Sequence, residues 1–140
     1  MRDIKINDAK NKLFDTKPVI QKLIDFASEE GFKIDKLEYN FVDSEKMYSL
    51  NKDFLNHDTD TDIITFDYSK SKIIIAEVFI SNEMMIKNAS ENMQSIENES
   101  FRLLSHGLLH CMGYKDNTLE EKAIMRKKEE EFIFAVSRET

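Results

Sequence analysis

The sequence predicts an α+β fold: a small mixed four-stranded β-sheet packed with about five helices. Two observations carry that prediction. Apolar residues switch between alternate spacing and helical spacing in the order strand, helix, strand, helix, strand, strand and then three helices. A length of 140 residues, 41% of them hydrophobic, suits one compact domain over 1–140 that needs neither disulfides nor a second lobe.

Arg2 to Asn7 alternates Ile4 and Ile6 with polar residues, as a half-buried strand does. From Pro18, a residue favoured in a first helical turn, Val19, Ile20, Leu23, Ile24 and Ala27 recur at helical spacing until Gly31 stops them. Leu37, Tyr39 and Phe41 alternate as a second strand, and Asp43 or Ser44 can cap the helix of Met47, Leu50 and Phe54. The stretches DIITFDYS from Asp62 and KIIIAEVFIS from Lys72 are β-branched and aromatic, and the short link between them suits a hairpin. Ser81 opens a helix to about Gln94, and another runs from about Glu97 to Met112, where Gly113 can take the left-handed conformation that ends helices. Thr118 and Glu121 form a T-x-x-E capping box for the last helix.

Composition narrows the function. A formal charge of −7 disfavours a protein that grips nucleic acid by bulk electrostatics, although a local basic patch stays open. The one cysteine, Cys111, cannot form an internal disulfide, and the N-terminus has no apolar run, so the expectation is a cytoplasmic protein without a membrane span. Three glycines and one proline leave no flexible linker.

Two of the three histidines, His106 and His110, lie four apart in FRLLSHGLLHCMG. At about 100° per residue their rings are offset by about 40°, so two imidazole nitrogens can meet one ion at about 2.0–2.1 Å. Such a pair alone is more often two partly buried helix histidines. The glycine bend at Gly113 and the carboxylate of Asp116 shift the balance towards a metal site, although Asp116 by itself is equally a turn residue or a cap. The spacing H-x3-H-x2-G-x2-D is close to the zinc-protease pattern H-E-x-x-H-x-x-G-x-x-H. The general-base Glu of that pattern is Gly107 here, which disfavours peptide hydrolysis.

HGLLHCMGYKD, preceded by TDIITF and AEVFIS and followed by a helix containing Met125, resembles the YbeY family of bacterial endoribonucleases from about Leu50 onward. The resemblance implies a single-strand-specific, metal-dependent endoribonuclease in late 16S rRNA maturation and ribosome quality control, with the ribosome or its small subunit as partner and no DNA substrate. The family motif H-x3-H-x5-H implies His106, His110 and Asp116 as ligands, with Asp116 in place of the third histidine. The implied cofactor is one divalent ion, zinc first, with nickel or another transition metal open. The family arginine aligns with Leu55, and His57, Lys52 and Lys115 are candidate substitutes. Two other functions stay open: a metallopeptidase with a base from elsewhere in the chain, and a non-catalytic ribosome assembly factor with a structural metal.

Thr61 and Asp62 match the family's T-D pair and either shape the cleft rim or simply turn into a strand, with Asp58 and Asp60 in the same polar loop. The run Ile73 to Phe79 reads as core sheet rather than as an edge strand for substrate. Arg126 to Lys128, followed by Glu129 to Glu131, reads as a solvated helix face. Met84, Met85 and Met93 with Ile86 and Ala89 read as core, Met125 as packing beneath the site, and Cys111 as a small buried hydrophobe.

Overall fold

The computed structural model describes residues 3–7, 14–55 and 61–137, apart from the side chains of Phe54 and Leu55. Its elements are β1 (Asp3–Asn7), α1 (Thr16–Glu29), β2 (Lys33–Val42), α2 (Ser44–Leu55), β3 (Ile63–Asp67), β4 (Ile73–Ser81), α3 (Asn82–Glu91), α4 (Ile96–Cys111) and α5 (Leu119–Ser137). The sheet order is β1-β2-β4-β3. β1 and β4 run parallel to β2, while β3 runs antiparallel to β4, so the sheet is mixed as expected.

β4 is therefore central. Ile74, Ala76, Val78 and Ile80 are buried along it, which agrees with the core-sheet reading of this run. β2 starts earlier than its alternation suggests. Asp35 is an extra residue between the pairs Ile34–Ile74 and Lys36–Ile75, and this bulge lets Ile34 and Leu37 both enter the core despite their odd spacing. The β3–β4 hairpin turns through Ser71 and Lys72, both at positive φ (53° and 64°), as a two-residue turn matched to strand twist requires.

Helices cover both faces. Met47 and Leu50 of α2 pack with Ile64 and, around them, Val42, Phe66 and Phe79. The other face carries the main core, to which α1, α4 and α5 contribute. Leu103, Leu104, Leu108 and Leu109 of α4 are fully buried. Each such leucine contributes about 1.5–3 kcal/mol, so α4 is the best-anchored helix of the fold. Tyr39 is equally buried and its hydroxyl donates to the Leu104 carbonyl at 2.8 Å, joining sheet to helix. Gly107 lies where α4 crosses the sheet: a Cβ there would sit 3.3 Å from both Val78 methyls.

The caps follow the sequence. Asp15 accepts from the Lys17 amide and caps α1, which begins at Thr16, so Pro18 falls within its first turn. Asp43, not Ser44, caps α2 by accepting from the Lys46 amide, while the Ser44 hydroxyl donates to Glu83 of α3 at 2.7 Å. The Thr118–Glu121 box forms in both directions at 3.0 Å. Two expectations fail. α3 stops at Glu91, short of Gln94, and Met93 takes φ 54° in the turn beyond it, 89% exposed. Ile86 is also exposed, because only Met85 and Ala89 of this helix meet the core. Among the described residues no helix is long and apolar enough to cross a membrane.

Two outcomes are expected from this packing. Gly107→Val forces two γ-methyls against Val78 and is expected to cost about 1–3 kcal/mol, read as a fall in Tm; an unchanged Tm rejects the close approach. Cys111 is buried, and that burial, followed by the nearby Asp67 charge, pushes its thiol up to about 12. Iodoacetamide at pH 8 should leave the native thiol unmodified and alkylate it in urea, and rapid labelling of folded protein would refute this.

Candidate functional site

α4 buries ten of its sixteen positions, and its α5-facing side is polar. Glu99, Arg102 and His106 recur at helical spacing along it. Opposite them α5 presents the stripe Met125, Glu129, Phe132 and Val136, all buried, so a carboxylate occupies a core position between Met125 and Phe132. Glu129 is 2% exposed. The reading of Glu129 as part of a solvated face is thus corrected, since only its sequence neighbours Glu130 and Glu131 face solvent. Met125 lies in the main core one helical turn before it.

Glu129 divides its two oxygens between two partners. Oε2 lies 2.7 Å from His106 Nδ1, and Oε1 lies 3.5 Å from an Arg102 guanidinium nitrogen. Arg102 also grips Glu99, which is 1% exposed, through Nε at 3.1 Å to each carboxylate oxygen and through a closer contact from its terminal nitrogen. The same terminal nitrogen is 3.8 Å from Asp62. Burial lowers the basicity of Arg102, but the hydrogen bond and charge of Glu99, with Glu129 and Asp62, more than offset this and hold its pKa above the ordinary value.

In its neutral form the ring carries its proton on Nδ1, against the carboxylate, and leaves the Nε2 lone pair to the cavity. Nε2 faces Asp116 Oδ2 at 3.6 Å. Desolvation opposes a charged His106, yet the Glu129 hydrogen bond, the Glu129 charge and the Asp116 charge outweigh it, so the ring titrates above the usual histidine value.

The turn that delivers Asp116 is tightly specified. The Gly113 amide donates to the His110 carbonyl and the Tyr114 amide to the Leu109 carbonyl, each at 3.1 Å, in a Schellman closure. Gly113 has φ 95°, and among the described residues no atom lies within 4 Å of where a Cβ would stand, so backbone conformation and not space demands glycine. The Tyr114 hydroxyl then donates to Glu30 at the end of α1 at 2.8 Å, which pins the turn to the body of the fold.

Thr61, Asp62, Ile63, Arg102, Leu103, His106 and Asp116 line a cavity of about 340 Å³. Larger hollows lie elsewhere, but this is the one lined by His106 and Asp116. Asp62 is fixed at the rim by the Asn88 side-chain amide at 3.1 Å and Thr61 by its own bond to the Ile63 carbonyl at 3.2 Å. The structure therefore brings together four residues singled out from sequence: Thr61, Asp62, His106 and Asp116. His110 and Lys115 are exposed and do not line the cavity. His57, Asp58 and Asp60 lie outside the described residues, as does the side chain of Leu55. Among the described residues no three His, Cys, Asp or Glu side chains are gathered tightly enough to hold one ion. The pair that is gathered fits two ligands of one: donors about 2.0–2.1 Å from a tetrahedral ion are about 3.4 Å apart, close to the His106–Asp116 separation.

Sequence reasoning missed Glu99, Arg102 and Glu129. The signal was present in the register of α5, where Glu129 falls on the apolar stripe of Met125, Phe132 and Val136.

An imidazole held at one nitrogen by a buried carboxylate and aimed with the other at a second carboxylate is equipped for proton transfer or metal binding, the chemistry a hydrolase uses. Residues 3–137 match the family described as Endoribonuclease YbeY, and the chain belongs to that family. It is 45% identical over 105 residues to Endoribonuclease YbeY of Cytophaga hutchinsonii, covering 74% of this chain and 73% of that one. It is 37% identical over 123 residues to that of Christiangramia forsetii, covering 88% and 84%. The solution structure of TM1509 from Thermotoga maritima shares the fold, with a TM-score of 0.71 and 23% identity over 99% of this chain and 91% of that one.

Replacing Arg102 with alanine removes the cation shared by two buried carboxylates and is expected to cost about 3–5 kcal/mol in urea unfolding. A loss below about 1 kcal/mol would show that Glu99 and Glu129 do not depend on it.

Proposed function

We propose that the protein is a metal-dependent endoribonuclease that cuts single-stranded RNA in ribosomal RNA maturation, with the ribosome or its small subunit as partner. The observation that carries this reading is His106, held by Glu129 and facing Asp116 across a cavity edged by Thr61 and Asp62, in a chain of the YbeY family. His106 and Asp116 are the proposed ligands of one divalent ion of the zinc type; His110, exposed and outside the cavity, completes the set only if its side chain turns from solvent towards them. Charge supports this assignment. Arg102 is paired with Glu99, Glu129 and Asp62, and Asp116 faces His106, so four carboxylates surround one fixed cation, an excess of negative charge that a divalent ion would compensate.

A bound ion of this kind supplies Lewis acidity towards a phosphoryl oxygen and towards water. The chain's own residues set the rest. Glu129 fixes the tautomer and direction of His106, and Arg102 holds Glu129 in place. Asp62 is the carboxylate proposed to take up the proton released by the attacking oxygen, because position 107 offers none. The peptidase reading loses support on the same ground: Gly107 faces Val78, so a glutamate there would enter the sheet instead of the cavity.

The test is cleavage of a labelled single-stranded oligoribonucleotide by protein supplied with Zn2+ or Mn2+. His106→Ala and Asp116→Ala should each lose about a hundredfold or more in rate and bind metal about 10–100-fold more weakly while staying folded by circular dichroism. Wild-type cleavage by both variants rejects the assignment.

A further inference from the structure

Arg102 is a wall shared by two hollows. It lines the cavity of His106 and Asp116, and it also lines a groove of about 500 Å³ formed by the turn after α3, the first turns of α4 and the C-terminal half of α5. The groove lies within the range of about 300–1,000 Å³ typical of small-ligand pockets. Along α4 the residues Asn98, Arg102 and His106 follow at successive turns, which sets Asn98 about 6 Å along the helix axis from Arg102 and about 12 Å from His106.

The lining is specific in chemistry. Asn92, Gln94 and Asn98 bring three primary amides, each both donor and acceptor, of which Asn98 Nδ2 donates weakly to Gln94 Oε1 at 3.4 Å. Phe134 presents a ring that is 64% exposed. Glu99 is neutralised by Arg102, whereas Glu130 is exposed at the groove and repels phosphate while accepting from amino groups. Arg126, 63% exposed at its side chain and 4.0 Å from Glu129, closes the α5 side. An aromatic face, amide hydrogen-bonding groups and a carboxylate suit a nucleobase, and disfavour a phosphate in the groove itself.

We propose that this groove is the subsite for one nucleobase of the RNA, belonging to a nucleotide next to the one whose phosphate occupies the His106 cavity. The proposal rests on the endoribonuclease reading and adds to it a base that stacks on Phe134 and offers an amino group to Glu130 and the amides. Cytosine, adenine and guanine carry that group and uracil does not.

The experiment is a titration of the 15N-labelled protein with 2′-O-methylated tetracytidylate, followed by NMR. The side-chain amides of Asn92, Gln94 and Asn98 should shift, Phe134→Ala and Asn98→Ala should each raise Kd about tenfold, and tetrauridylate should bind more weakly. Tyr68→Ala, which removes an equally exposed ring at the β3–β4 hairpin, should leave Kd unchanged. Shifts confined to the His106 cavity, with RNA still cleaved, overturn the subsite and leave the endoribonuclease reading standing. Equal losses in the Phe134 and Tyr68 variants, or equal affinity for the two oligonucleotides, also overturn it. No shift anywhere together with no RNA cleavage overturns both.

Discussion

The carboxylate of Glu129 is the point on which the site depends. It is buried in the seam between α4 and α5, where an unpaired charge would be costly, and it is made tolerable by two donors at once, the His106 ring and the Arg102 guanidinium. Because the imidazole must turn Nδ1 towards that carboxylate, its other nitrogen has one direction left, and that direction is the cavity. A requirement of helix packing thus becomes a requirement on the chemistry.

The remaining parts of the site are positioned by the same packing. The four fully buried leucines of α4 set the rotation of the helix, so Glu99, Arg102 and His106 face α5 and the β3 end of the sheet. Gly107 lets α4 approach β4 closely, which brings the helix down beside Thr61 and Asp62. The Schellman closure and the Tyr114–Glu30 bond carry the chain back across the helix end to Asp116. That turn is therefore held at both the backbone and the side-chain level.

The arrangement also explains how an acidic protein can act on RNA. The Arg102 cation is engaged by Glu99, Glu129 and Asp62, so it forms no broad basic patch. Recognition by stacking and base-edge contacts in the neighbouring groove fits that balance better than attraction of the phosphate backbone, which grows with net positive charge.

Much was legible from sequence alone. The order of elements, the mixed sheet, the hairpin between β3 and β4, the glycine closure after α4 and the capping box at Thr118 follow from spacing and local backbone chemistry, which act over a few residues. The i, i+4 relation of His106 and His110 was equally plain, as was the family of the motif. Tertiary structure alone decided which of those side chains meet. His106 is turned towards Asp116 because the Glu129 carboxylate, from a helix 23 residues further on, takes its other nitrogen, while His110 is left exposed. Glu129 itself was misread for a physical reason: in sequence a glutamate beside two others looks solvated, and only the rotation of α5 against α4 shows that one of the three is turned into the core. The bulge at Asp35 escaped notice likewise, since an extra residue in one strand is defined only by the pairing of its neighbour.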